Sequence, residues 1–321
     1  MIKPLIGVVM AICLLTTACQ KSEASPVDAN YPSGPITMTA GANPGGGFDI
    51  TIRSVVDALQ KEHLIDVPLP VENRPGASGA DFLATMVEQY RGDDDQISVT
   101  SLAMMMNEIR GVSKYGYDDV TMIARLMTEY FVVVTRADSP FKNLGDVMTA
   151  IKSNPAGVAV GAAQDDEAPF DLLVSAAGGT PSSINYAVLE GGGDQITALR
   201  DGAIGVAVGG VSELIGSLKS GDLRALGVLA ENRLPGLDAP TAREQGLDVT
   251  LANWRGIYGP PDMPEFAVAY WQKALGQMVQ SPTWMQIAEQ RQFTTTFMIG
   301  EEFQTFLADT QADVKAALGD A

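Results

Sequence analysis

The chain has 321 residues, 46% of them hydrophobic and 19% charged, which excludes disorder and collagen-like repeats and suits about two folded domains. Its 21 Lys and Arg residues stand against 39 Asp and Glu, a net charge of −18, so nucleic acids and anionic membrane surfaces would be repelled. Two cysteines, Cys13 and Cys19, lie near the start, and His63 is the single histidine. The body therefore has no disulfide and no Cys/His zinc site. His63 follows the polar residues Gln60, Lys61 and Glu62 and reads as an exposed helix end, not a catalytic base. Most hydrolase and metalloenzyme chemistry is excluded, and neither cofactor nor metal is expected.

Lys3 precedes an apolar run of eleven residues, 5–15. A bilayer span needs about 20, whereas a signal-peptide core needs fewer. The run ends in Leu15-Thr16-Thr17-Ala18-Cys19, which resembles a bacterial lipobox with Thr16 where leucine is usual. Residues 1–19 are thus expected to be an export signal and Cys19 the lipidated, membrane-attached residue; ordinary cleavage after small residues is the alternative. The polar stretch 20–30 reads as a tether.

Residues 36–40 read as a buried strand. The glycine-rich stretch 43–47 comes next, then a helix with Ile50, Val55, Ala58 and Leu59 near one face. Strands are expected at 67–71 and 97–102, with a helix between them opening at Gly76 and carrying Leu83, Met86 and Val87. The stretch 122–135 contains a long β-type run, Tyr130-Phe131-Val132-Val133-Val134-Thr135. Helices at 144–151, 170–177, 196–200 and 213–218 then alternate with strands at 158–160, 184–189, 203–208 and 223–229. After Trp254 the pattern reads as helical, at 266–279, 282–290 and 302–318. Alternation of this kind means βαβ units and parallel sheets covered on both faces. The expected fold is α/β with two lobes, each a sheet flanked by helices. Residues 31–134 with 252–321 would form lobe I and residues 135–251 lobe II, the helical tail packing back on the first block. Met104, Met105 and Met106 suit gap-filling core positions, as do Trp254, Trp271 and Trp284. Asp93, Asp94 and Asp95 suit a solvated turn without calcium-loop spacing.

One local pattern occurs twice: strand, Gly45-Gly46-Gly47-Phe48-Asp49, helix, and later strand, Gly191-Gly192-Gly193-Asp194, helix. Open α/β sheets bind ligands beyond the carboxyl ends of their strands, where these turns fall. Glycine lets a ligand approach the backbone, and a helix start offers unpaired N–H groups with about half a positive charge. An acidic protein can hold an anion there without any arginine. Asp49 is expected to cap amides of its own loop. Gly76-Ala77-Ser78-Gly79 supplies a third helix start; a plain tight turn is the alternative for any single loop. No phosphate-binding G-x-x-x-x-G-K-S/T and no G-x-G-x-x-G between strand and helix occurs, so a nucleotide fits less well.

Further residues carry a resemblance. Tyr31-Pro32-Ser33-Gly34-Pro35-Ile36, the first glycine loop, and Val71-Glu72-Asn73-Arg74-Pro75-Gly76-Ala77-Ser78-Gly79 are similar to the solute-binding proteins of tripartite tricarboxylate transporters, the Bug receptors. Tyr117-Asp118-Asp119, Asp222-Leu223-Arg224-Ala225-Leu226-Gly227, Pro240-Thr241-Ala242-Arg243-Glu244-Gln245-Gly246-Leu247 and Trp254-Arg255-Gly256-Ile257-Tyr258-Gly259 extend the likeness over about residues 31 to 300. The resemblance implies a flytrap-like, type II periplasmic-binding-protein fold without catalytic activity. It would capture a small organic acid and pass it to integral membrane transporter subunits. Ligand contacts carried over are Ala42, Asn43, Gly45, Gly46, Gly47, Phe48, Asp49, Ala77, Ser78, Gly79, Gly191, Gly192 and Gly193. Thr100, Ser101 and Gly210 would be wall residues.

The sequence departs from the family at Asp94-Asp95-Gln96-Ile97, at Gly161-Ala162-Ala163-Gln164-Asp165-Asp166-Glu167 and at Leu189-Glu190. Ala163, Gln164 and Glu190 join the candidate contacts there. Asp165, Asp166, Glu167 and Glu190 suggest a ligand with a positive or hydrogen-bond-donating group besides its carboxylate; an acidic loop facing solvent is the alternative. A periplasmic sensing module of the same fold is the other functional reading, with an enzyme third.

Overall fold

The computed structural model describes residues 30–163 and 166–318. The expected export signal, Cys19, Gln164 and Asp165 lie outside the described residues. In chain order the first block holds β1 (Thr37–Ala40), α1 (Gly47–Lys61), β2 (Val71–Asn73), α2 (Ala80–Gln89), β3 (Gln96–Ser101) and α3 (Leu102–Ile109). The strand β4 (Thr121–Arg136) then runs for 16 residues. Beyond it come α4 (Leu144–Ser153), β5 (Ala159–Ala162), α5 (Glu167–Ala176), β6 (Asn185–Val188), α6 (Gly192–Asp201), β7 (Val206–Gly210), α7 (Val211–Lys219) and β8 (Leu223–Val228). The chain returns through β9 (Ala252–Gly259), α8 (Glu265–Met278), α9 (Pro282–Arg291), β10 (Thr294–Ile299) and α10 (Gly300–Leu318).

The strands are ordered β2-β1-β3-β9-β4-β7-β5-β6, with β8 and β10 also paired to β4. Up to Tyr130, β4 pairs with β9; from Phe131 onward it pairs with β7, and from Val132 with β8. The two halves of the sheet are thus joined through one strand. Nearly all of β4 is buried, which is why it reads as a continuous apolar run and not an alternating one.

Parallel pairing holds for β1 with β2 and β3, and for β5 with β6 and β7. The expectation of wholly parallel sheets is corrected by β4 and β9, which pair antiparallel with each other and with their other neighbours. Strand β2 begins at Val71, later than expected, because Pro68 and Pro70 have no N–H to give a ladder. Their carbonyls still accept from Ile36 and Met38, at 3.1 and 2.8 Å. The returning segment is not purely helical. Its strand β9 mixes glycines with Trp254 and Tyr258, and β10 opens on the β-branched Thr294, Thr295 and Thr296.

Four clusters of buried apolar side chains form the core, two on each side of the partner exchange in β4. Ile36, Ile52 and Leu59 pack with Trp271 and Trp284 of the returning helices. Trp254, Phe303 and Leu307 pack with Met104, Met105 and Met106, none of the three methionines more than 5% exposed. The tail therefore packs back on the first block, and the methionines fill core as expected. Tyr31 fastens the start of this block: Trp271 Nε1 donates to its hydroxyl at 2.9 Å, and the hydroxyl donates to Asp94 O at 2.7 Å. The turn carrying Asp93 and Asp95 is exposed, and so is His63, just past the end of α1.

Phe303 is fully buried, its ring 6.1 Å from that of Trp254. Phe303→Ala should lower stability by about 3–5 kcal/mol, the usual cost of emptying an aromatic site. Equilibrium urea unfolding measures it. A loss below about 1 kcal/mol, typical of a surface change, would show that α10 is not part of this core.

Candidate functional site

Between β1 and α1 the chain turns through the first glycine loop. Asp49, 4% exposed, holds that loop: Gly45 N–H donates to its Oδ2 at 2.9 Å, while Arg53 Nε and Asn73 Nδ2 both donate to its Oδ1 at 2.8 Å. Asn73 also donates to Ala42 O at 3.0 Å, tying β2 to the loop. Asp49 serves the loop, as its place in the first helical turn suggested. Helix α1 opens at Gly46, which has no side chain to cap it, so acceptors for its first N–H groups must come from elsewhere.

The second glycine loop meets the first. A β-carbon at Gly191 would lie 3.2 Å from the Cα of Gly46 and 3.2 Å from Glu213 Oε2. Gly191 also has φ of 130°, open to glycine at no steric cost. The third turn is tighter than a simple helix start. Gly76, Ala77, Ser78 and Gly79 have successive φ values of 149°, 46°, 51° and 89°, and α2 begins only at Ala80. Two non-glycine residues in that region are strained; Asn107 Nδ2, donating to Ala77 O at 3.0 Å, helps hold them.

An ion pair underlies the loops. Arg255 on β9 and Glu129 on β4 are 4% and 0% exposed, and Arg255 Nε donates to Glu129 Oε1 at 2.9 Å. Nη2 donates to the same oxygen. The other carboxylate oxygen accepts from Ser212 N–H in the first turn of α7, at 3.4 Å. The Arg255 guanidinium carbon lies 5.2 Å from the centre of the Phe48 ring. A β-carbon at Gly47 would collide with Arg255 Nη2 and lie 3.0 Å from Glu213 Oε1.

These parts line a half-open cavity of about 80 Å³. Ala42, Gly46, Gly47, Phe48, Ala77, Ser78, Ala163, Glu190 and Gly191 line it, together with Gly41, Asp166, Val188, Leu189, Glu213 and Arg255. Thr100 and Gly79 line a small recess behind Phe48. Asn43, Gly45, Asp49, Ser101, Gly192, Gly193 and Gly210 stand off the wall of both. Ser101 Oγ instead accepts from Ala103 N–H at 3.1 Å, capping α3, and Gly210 packs beside the Glu129 carboxylate. Of the acidic set, Asp166 and Glu190 line the cavity and Glu167 does not; burial raises the pKa of the Glu167 carboxyl. Two larger hollows, of about 350 and 360 Å³, lie away from both glycine loops.

Sequence reasoning missed Arg255, Glu213 and Glu129. An anion site free of arginine is corrected by Arg255, which reaches the cavity wall. The available signal was a charged residue inside the β-type run from Asn253 to Tyr258, where an unpaired charge would not be buried.

A two-lobed periplasmic-binding-protein fold is the class these elements define. The known structures agree. The periplasmic binding protein BugD superposes with a TM-score of 0.81 at 19% identity, over 88% of this chain and 96% of that one. MatC from Rhodopseudomonas palustris with bound malate gives 0.75 at 22% identity, over 88% and 97%. Protein BugT of Bordetella pertussis is 24% identical over 292 residues, 89% of each chain. Residues 51–320 match the tripartite tricarboxylate transporter family receptor, and the chain belongs to that family.

Arg255→Met should leave the Glu129 charge buried alone and cost about 3–5 kcal/mol in urea unfolding. Adding Glu129→Leu should restore most of that loss. A double variant as unstable as the sum of its single changes would mean that the two charges are independent.

Proposed function

We propose that this chain is an extracytoplasmic receptor that captures a small organic carboxylate between its lobes and delivers it to the membrane subunits of a tripartite tricarboxylate-type transporter. The carrying observation is the meeting of two glycine loops over one small cavity. Its size, well above what one water needs, leaves room for a short organic acid. Malate in MatC is an acid of that scale. Family membership supports a receptor and not an enzyme.

In this reading residues 31–134 with 252–321 form lobe I and residues 135–251 lobe II, and ligand shifts an open–closed equilibrium toward closure. The partner exchange in β4 supports a hinge there. Gly46, Gly47, Phe48, Ala77, Ser78 and Gly191 contact the ligand, chiefly through backbone groups.

A panel of short mono- and dicarboxylates, screened by thermal shift, tests this. A true ligand at 100 times its Kd adds about 2.7 kcal/mol of stability. Gly46→Val should abolish the shift while the unliganded fold survives, because its φ is ordinary and its β-carbon would press only on its own loop, 3.3 Å from Asn43 O and 3.4 Å from Ala42 Cβ, with Glu190 O at 3.6 Å. Absence of any shift across the panel for the wild-type protein, or a full shift in Gly46→Val, would sink the reading.

Attachment to the membrane through a lipid on Cys19 belongs to the same proposal, each buried CH₂ adding about 0.8 kcal/mol. Cys19→Ser should release the protein from the membrane fraction or leave it uncleaved. Wild-type protein found wholly in the soluble periplasmic fraction would refute the anchor.

A further inference from the structure

The second glycine loop already holds a carboxylate. Glu213, in the first turn of α7, accepts from Gly192 N–H through Oε2 at 2.7 Å, at the start of α6. Its other oxygen reaches the opposite loop. Oε1 lies 3.0 Å from a β-carbon built on Gly47, beside Arg255 Nη2. One side chain thus stands among the start of α6, the start of α1 and the cleft's arginine. Those are the groups that would attract an anion from solution. Glu213 also lines the cavity, so its carboxylate borders the space a ligand would take.

We infer that Glu213 is a specificity-determining residue: a built-in carboxylate that fills one of two anion positions in the cleft and restricts the ligand to a monocarboxylate. The inference rests on the receptor reading above and narrows its ligand class. The first loop at Gly46 and the turn at Ala77 and Ser78 also line the cavity and remain for one ligand carboxylate. A second carboxylate would meet Glu213 in a cavity also lined by Asp166 and Glu190. Arg255 does not offset this, because two carboxylates, Glu129 and Glu213, already stand beside its single charge. Like charges at close range in a partly dry site repel strongly, and such a repulsive element sets specificity as effectively as an attractive one. A neutral amide or hydroxyl end would instead donate to the same carboxylates.

Two measurements on the purified protein test this. The first needs no knowledge of the ligand. Glu213→Ala leaves a carboxylate-shaped gap, so acetate at tens of millimolar should raise its melting temperature by about 2 °C or more. The wild type and Glu213→Gln should respond clearly less, since only the first-loop position is open to acetate in them. The second is calorimetry with pairs that differ by one carboxylate turned into a carboxamide: succinate and succinamate, malate and malamate, glutarate and glutaramate. Wild type should prefer the amide of the best-bound pair by about tenfold or more, a difference of about 1.4 kcal/mol, and Glu213→Gln should remove most of that preference. Acetate acting equally on all three proteins, or on none, would overturn the inference, as would a wild type that binds the diacid as tightly as its amide. If wild type binds none of the acids, the receptor reading fails instead, and the acetate response still decides whether Glu213 stands in an anion position.

Discussion

Where β4 and β9 run side by side, a glutamate and an arginine lie buried with almost no water access. Desolvating two charges is costly, and a close ion pair repays it only when the remaining donors and acceptors are also satisfied. Here Glu129 takes both Arg255 and the first turn of α7 as partners. Strand position, helix position and arginine orientation therefore become one constraint. Arg255 then backs the Phe48 ring and closes the space beside Gly47, so the shape of the first glycine loop depends on a pair formed behind it. The same pair lies next to the point at which β4 leaves one half of the sheet for the other.

The glycine loops and most elements were legible in the sequence because their causes are local. Glycine before a helix, an aspartate in its first turn and alternating short strands each act within a few residues. Asp49 shows this well: its role follows from its place in the first turn of α1, and three donors converge on it. The ion pair was not legible because its partners are 126 residues apart. Nothing near Arg255 announces Glu129. The strands β9 and β10 were passed over for a related reason: their pairing partner is β4, well over a hundred residues earlier, and tertiary context overrode weak local patterns.

The left-handed run at Ala77 and Ser78 shows a different limit. Flanking glycines announced a turn, but no residue type announces that two β-carbons will be held in a strained conformation. That strain is maintained from outside, through Asn107 and the close packing of Gly79 against Gly41, where an added β-carbon would come within 2.8 Å. The turn that lines the cavity is thus supported by the helix α3 that sequence patterning did not separate from its strand.

Contact between Gly46 and Gly191 has a mechanical consequence. Side chains can rotate aside, whereas two main chains this close cannot, so in the proposed receptor the two loops would set a rigid limit to closure. Peptide backbone would fix how near the loops come, while Phe48 and Arg255 shape the space beside them. A guest that fits within that limit would allow full closure, and a larger one would prop the loops apart. The closed form would then report the size of its contents, and a membrane subunit that engages only that form would inherit the measurement.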